Sequence, residues 1–207
     1  PLVSFSTDLV FDGRGRRPYV ESDGGAPLNV YGRSKAQAED RVLRVHPGAL
    51  VIRTSAFFSP WDEHNHVWHA LQHLRRGLCF AAADDVTVAP TYVPDLVHAT
   101  LDLLIDGERG LWHLSNGQAV TWLEFAREAA RLQGLQPALL RGCPGAALGW
   151  RARRPAYSAL ASERGGVMPS LEDALRRHAA QCAAAGGGVY GEAGSGGEAT
   201  AARRAAA

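Results

Sequence analysis

Lysine is almost absent from this chain of 207 residues: its 22 basic residues are 21 arginines and one lysine, Lys35. Where either cation would serve, the sequence has arginine, so the exception points to a position where arginine fails. A compact ammonium on a flexible stem does chemistry that a planar guanidinium cannot. Cysteine is also scarce. Cys79, Cys143 and Cys182 lie far apart, which argues against a disulfide framework or a cysteine zinc site. No apolar run reaches the roughly 20 residues that span a bilayer, and no secretory leader is visible. A cytoplasmic protein with no membrane partner is therefore expected. The net charge is +1, without the clustered basic face that nucleic acid requires. A Gly-rich G-x-G-x-x-G turn opening a helix is missing too; Gly13-Arg14-Gly15 lies in a loop instead.

What is present suffices for a real core, since 46% of residues are apolar and 21% charged. Leu2 to Thr7 reads as a buried strand, and Leu9-Val10-Phe11 carries it into a long loop that reaches Pro27. Asn29 to Val45 reads as a helix stopped by Pro47-Gly48, and Ala49 to Thr54 as a second apolar strand. His64 to Arg76 is expected to be helical, Phe80 to Val88 extended, and Asp95 to Ile105 helical after a first-turn Pro94. Leu111 to Leu114 reads as a short strand. Thr121 and Glu124 form a capping box, and Ser170 to Asp173 opens the last helix in the same manner. Strands alternating with helices predict an α/β domain built on a mostly parallel sheet, over residues 1–182. From residue 183 the chain is mostly Ala, Gly, Ser and Glu, a composition that predicts a disordered tail.

Tyr31-Gly32-Arg33-Ser34-Lys35 sets a phenol and an ammonium at i and i+4, on one helical face. A free tyrosine ionises only near pH 10, and an adjacent ammonium favours its phenolate, which suits general acid–base work. The ammonium can also donate hydrogen bonds to a ribose. Ser6 and Thr7 end the preceding strand, where polar groups face the usual ligand crevice of a parallel sheet. Either hydroxyl could donate to a substrate carbonyl.

In this order, several segments resemble the extended short-chain dehydrogenase/reductases, and most nearly the dTDP-4-dehydrorhamnose reductase family. They are Ser6 to Gly13, Pro27 with Tyr31 to Lys35, Val51 to Ser55, Pro90-Thr91-Tyr92 with Asp95-Leu96, Gly110 to Asn116, Glu124-Phe125-Ala126, and Arg154-Pro155 with Ser158 and Leu160. The resemblance implies the C-terminal part of an NAD(P)-binding Rossmann-like parallel sheet plus a small α/β substrate-binding region. It implies that Tyr31 donates a proton to the C4 carbonyl of a dTDP-4-keto-6-deoxy sugar. Lys35 would hold the nicotinamide ribose and tune Tyr31, and Thr7 would orient the carbonyl. Tyr31, Lys35 and Thr54 would meet the cofactor, NADPH or NADH; Ser6, Thr7, Asp8 and Ala56 would meet the sugar. Ala56 stands where many members carry a tryptophan. The family's Gly-rich pyrophosphate cradle would lie upstream in the same polypeptide, so this chain alone is expected to be inactive; a homodimer is possible.

Two other readings stand beside this one. A non-catalytic module of the same fold would bind a nucleotide-sugar or a protein partner. Alternatively, His66, His69 and His73 recur at helical spacing within the segment His64 to His73, as zinc ligands can. Arg14, Arg16 and Arg17 are placed on an exposed loop.

Overall fold

The computed structural model describes residues 1–185. The first unit is a βαβ crossover: β1 (Val3–Thr7), α1 (Val30–Val45) and β2 (Leu50–Thr54). Asn29 starts α1, its side chain accepting the Gly32 amide at 2.7 Å in place of a missing intrahelical bond. β1 and β2 are parallel, in register from Val3 opposite Leu50 to Thr7 opposite Thr54. Every residue of β2 is buried, as its near-continuous apolar run implies for the central strand of a parallel sheet.

The chain then leaves this sheet through β3 (Phe57–Phe58), α2 (His66–Arg75), β4 (Phe80–Ala83), β5 (Thr87–Val88) and β6 (Thr91–Tyr92). It returns by α3 (Val93–Ile105) to β7 (Gly110–His113), which pairs parallel to the far edge of β2. β8 (Val120–Thr121), α4 (Trp122–Leu132), β9 (Leu140–Cys143) and α5 (Leu171–Ala185) complete the second region. There β3 pairs with β6 and β4 with β9, both parallel, and β5 pairs antiparallel with β8.

Two main cores result. Leu50, Ile52, Leu96, Leu103, Trp112 and Leu114 fill the space between the three-stranded sheet and α3. Phe58, Val67, Leu71, Tyr92, Phe125 and Leu175 join α2, α4 and α5 around β3 and β6. α5 is held there by a clasp. Arg177 grips the buried Asp95 carboxylate with two bonds of 2.7 Å, and Asn116 donates to the same carboxylate at 2.8 Å.

The α/β class and the mostly parallel sheet agree with the sequence, and several local readings change. Leu9-Val10-Phe11 is not strand-like, because Asp8–Val10 forms one 3-10 turn. The extended segment 80–88 is broken by a bend at Asp84-Asp85, where Asp85 accepts the Gly145 amide at 2.6 Å. β9 was not expected at all. The Thr121–Glu124 capping box is complete. The Ser170 box is only half made: Ser170 accepts the Asp173 amide at 3.3 Å, while the Asp173 carboxylate takes Arg177 Nε instead. α5 runs to Ala185, so residues 183–185 are helical rather than the start of a tail; residues 186–207 lie outside the described residues. No helix among the described residues is long and apolar enough to cross a membrane.

Candidate active site at the end of the first strand

Three local decisions bring the predicted residues together. Thr7 ends β1 and caps the following 3-10 turn, its Oγ accepting the Leu9 amide at 3.2 Å. Asn29 starts α1 and ties it to a distant loop, its side-chain amide donating to the Arg153 carbonyl at 3.0 Å. Gly32 lets the helix touch the turn: a Cβ at this position would lie 2.1 Å from the Leu9 carbonyl oxygen. The glycine is needed for that close approach and not for its backbone angles. The start of α1, which carries Tyr31, is thereby set against the turn that follows Thr7.

Tyr31 is 52% exposed, so its phenol is open to a ligand. Lys35 follows one turn later. Its Nζ donates to the Phe5 carbonyl of β1 at 2.9 Å and stands 6.0 Å from the centre of the Tyr31 ring. The ammonium is therefore anchored to the strand by one of its three donors, which leaves others for a ligand.

Behind the turn lies a buried acid. Asp8 accepts the Thr7 hydroxyl at 3.1 Å on one oxygen and the Ser158 hydroxyl at 2.5 Å on the other. Burial pushes its carboxyl up to about 6, against the lowering effects of Ser158, Thr7 and the nearby Arg154 guanidinium. Arg154 stacks over Trp150, 5.2 Å from the ring centre, and its buried Nε has no hydrogen-bond partner.

Ser6 goes elsewhere. Alternation along β1 turns it away from Thr7, and its hydroxyl donates to the buried Glu39 carboxylate. Glu39 in turn is gripped by Arg53 of β2, at 2.9 Å through Nε and 2.6 Å through Nη2. Arg53 Nη1 lies 3.4 Å from His113 Nε2, and His113 Nδ1 faces two carbonyls, Tyr19 at 3.0 Å and Ala161 at 2.9 Å. Two acceptors at Nδ1 fix the proton there, so Nε2 receives the Arg53 bond and the ring is neutral. Burial lowers the His113 pKa accordingly. The Ser6 hydroxyl is thus committed to the seam between α1 and the sheet and is not grouped with Tyr31.

Thr54 and Ala56 follow β2. The Thr54 hydroxyl donates to Thr91 Oγ at 3.1 Å, both residues being buried. Ala56 has a φ of 47° and is the one non-glycine with positive φ among the described residues. That backbone costs about 1–2 kcal/mol for an L-residue. Its carbonyl accepts the Thr91 amide at 3.2 Å, which helps to hold it.

The histidine segment does not form a metal site. His66 Nε2 lies 3.2 Å from the Trp122 carbonyl, and His73 Nδ1 lies 2.8 Å from the His69 carbonyl one turn before it. Among the described residues no group of three or more His, Cys, Asp or Glu is gathered to hold an ion. In the arginine-rich loop, Arg17 pairs with Asp23 at 2.8 Å and Arg14 with Asp12 at 3.7 Å.

Sequence reasoning missed Glu39, and it noted Ser158 only as part of the resemblance, without its bond to Asp8. Glu39 had a visible signal. Arg53 interrupts an apolar strand, and a buried cation demands a carboxylate partner. Glu39 stands four residues after Lys35, on the helical face that carries Tyr31 and Lys35 toward β1. Ser158 had no local signal, because its partner Asp8 is far away in sequence.

Comparison with known proteins adds four findings. The family model described as "RmlD substrate binding domain" matches residues 1–181. The chain is 36% identical over 169 residues to dTDP-4-dehydrorhamnose reductase of Mycobacterium tuberculosis, covering 79% of this chain and 55% of that protein. It is 35% identical over 164 residues to a probable dTDP-4,6-dihydroxy-2-methyloxan-3-one 4-ketoreductase of Streptomyces antibioticus, again covering 79% and 55%. The crystal structure of dTDP-4-dehydrorhamnose reductase from Bacillus anthracis in complex with NADP superposes with a TM-score of 0.81 at 29% identity, covering 87% of this chain and 65% of that one. The chain thus spans little more than half the length of the two curated relatives.

Proposed function

Because the chain belongs to the RmlD substrate-binding-domain family, we propose that it is the catalytic and sugar-binding portion of a reductase. Its substrate would be a dTDP-4-keto-6-deoxy sugar, of the dTDP-4-dehydrorhamnose type, and its reductant NADPH or NADH. Residues 1–182 would form the reductase-like unit. The observation that carries the reading is the packing of Gly32 against Leu9, just after Thr7, with Lys35 bonded to the Phe5 carbonyl of β1 and 6.0 Å from the centre of the Tyr31 ring.

In this reading each residue has one task. Tyr31, exposed at the start of α1, gives its phenolic proton to the C4 oxygen as that oxygen gains negative charge. The Lys35 ammonium, 6.0 Å from the ring centre, offsets the charge left on the phenol oxygen. Thr7 orients the carbonyl from the end of β1. The nicotinamide-ribose end of a dinucleotide fits this surface, since the ring of Tyr31 is half exposed and Lys35 keeps donors free. A reduced nicotinamide, when bound, supplies a hydride. The pyrophosphate end has no Gly-rich cradle in this sequence. Activity is therefore expected only where this chain is joined to such a cradle.

The test is oxidation of NADPH or NADH, followed at the nicotinamide absorbance, by the complete polypeptide with a dTDP-4-keto-6-deoxy sugar. Tyr31→Phe keeps the ring and removes the proton. Turnover is expected to fall by about two to four orders of magnitude with cofactor affinity nearly unchanged. A wild type that reduces no such sugar, or a Tyr31→Phe variant as fast as wild type, refutes the reading.

A further inference from the structure

The Thr7 hydroxyl has a conflict of hydrogen-bond direction. A hydroxyl carries one proton and two lone pairs. The Thr7 proton points to Asp8 at 3.1 Å, and one lone pair takes the Leu9 amide at 3.2 Å. A carbonyl oxygen can only accept, so a Thr7 hydroxyl in this arrangement has nothing to offer a ligand carbonyl. Turning its proton outward would set the Thr7 oxygen against a bare carboxylate oxygen, lone pair facing lone pair. The conflict vanishes if Asp8 carries a proton on the oxygen that faces Thr7. The other oxygen is already satisfied by Ser158 at 2.5 Å.

We propose that Asp8 is a positioning acid: in its protonated form it donates from Oδ1 to Thr7 Oγ and so directs the Thr7 proton to the carbonyl of the bound sugar. This deepens the reductase reading and rests on it. No proton changes owner. The Asp8 proton stays on Oδ1, the Thr7 proton stays on Oγ, and only the directions of two hydrogen bonds reverse.

The surroundings suit a neutral acid. Asp8 is 6% exposed, and burial disfavours its anion, holding the carboxyl near 6. The loop that brings Ser158 also brings Arg154, whose charge favours the anion. That opposition is incomplete, since the Arg154 guanidinium is laid over Trp150 and its buried Nε bonds to nothing. α1, packed on the same turn through Gly32, contributes Tyr31 and Lys35 at this edge, and Lys35 is turned to the Phe5 carbonyl. Asp8 therefore sits where a modest change in proton concentration alters which way Thr7 points.

Asp8→Asn in the complete polypeptide tests this. Its carboxamide is a neutral mimic, with an N–H for Thr7 and a carbonyl for Ser158. In the wild type, kcat/KM is expected to fall as pH rises past about 6, since that parameter reports groups of the free enzyme. Asp8→Asn should lose that limb, its turnover becoming nearly flat from about pH 5 to 8, whereas Asp8→Ala should lose at least about tenfold at every pH. Ser158→Ala removes a bond that favours the anion, so the limb should move to higher pH; a purely structural Ser158 would lower activity without moving it. The limb persisting in Asp8→Asn, or a loss beyond about a hundredfold in that variant, overturns the proposal. Titration of the Asp8 carboxyl carbon by NMR reads the same point without turnover. A midpoint near 6 supports the proposal, and a midpoint near 4 overturns it. An inactive wild type would count against the reductase reading, and the titration would then decide this inference alone.

Discussion

Replacing Glu39 by Gln should be among the most damaging single changes to the stability of this fold, although it alters few atoms. Glu39 and Arg53 have side chains only 7% and 8% exposed, and their two short bonds join the centre of α1 to the central strand β2. The carboxylate also accepts the Ser6 hydroxyl. Glu39→Gln leaves a buried guanidinium without its counter-charge and turns an amide N–H toward one of its donors. Breaking a buried pair from one side costs about 3–5 kcal/mol, most of it the penalty of the orphaned charge. For a domain of this size each kcal/mol moves Tm by about 2–4 °C, so a fall of about 6–20 °C is expected. Thermal and urea denaturation of the complete polypeptide measure it. The double variant Glu39→Leu with Arg53→Leu removes both charges and should recover most of the loss, within about 2 kcal/mol of wild type. If Glu39→Gln costs under about 1 kcal/mol, the pair is more hydrated than its exposure says and the reasoning fails.

Three further outcomes can be checked. Gly32→Ala places a carbon 2.1 Å from the Leu9 carbonyl oxygen, so α1 must move off the turn; about 1–3 kcal/mol of stability and more than about tenfold in turnover should go together. Lys35→Arg puts a planar fork where a compact ammonium reaches the Phe5 carbonyl, and turnover should drop at least about tenfold with the fold intact by circular dichroism. Stability should also depend on pH in two opposed ways. Burial lowers His66 and His178 from 6.5 to about 4, so each contributes about 3 kcal/mol that is present above pH 6.5 and lost as pH falls toward 4. Asp8, raised from 3.8 to about 6, contributes about 3 kcal/mol that is present below pH 3.8 and lost as pH rises through 6. Between pH 4 and 6 the acid therefore offsets one of the two histidines, and denaturation midpoints at pH 7, 5.5 and 4 should show a net fall of about one histidine's worth. A rise in stability on acidification would contradict both burials.

What the sequence revealed was whatever chemistry acts over a few residues. Asn29 and Thr121 announced their helices because a capping side chain reaches an amide two or three residues on. Tyr31 and Lys35 were visible because helical period alone puts them on one face. The two-residue strands β3, β5, β6 and β8 are too short to show any alternation, and each exists only because a distant partner supplies its hydrogen bonds. The turn at Asp84-Asp85 is of the same kind, since the Gly145 amide that holds Asp85 comes from the other side of α4. Thr7 and Asp8 were recognisable as polar ends of a strand, but the acid's burial and its bond to Ser158 depend on a loop that returns much later. Local rules therefore pointed to the candidate site, whereas the burial of Asp8 and its bond to Ser158 came from tertiary contacts.

The clasp of Arg177 on Asp95 also sets an order of events during synthesis. β1, α1, β2, α3 and β7 are all made before residue 114, so the three-stranded sheet can close its core while the rest of the chain is still emerging. The core around α2 and α4 cannot do the same. Leu171, Ala174 and Leu175 seal it, and Asp95, in the first turn of α3, lacks its Arg177 partner until α5 leaves the ribosome. A chain paused before α5 thus presents apolar faces of α2 and α4 together with a stranded carboxylate. That nascent state, and not the finished protein, is where chaperones would have their longest opportunity to bind.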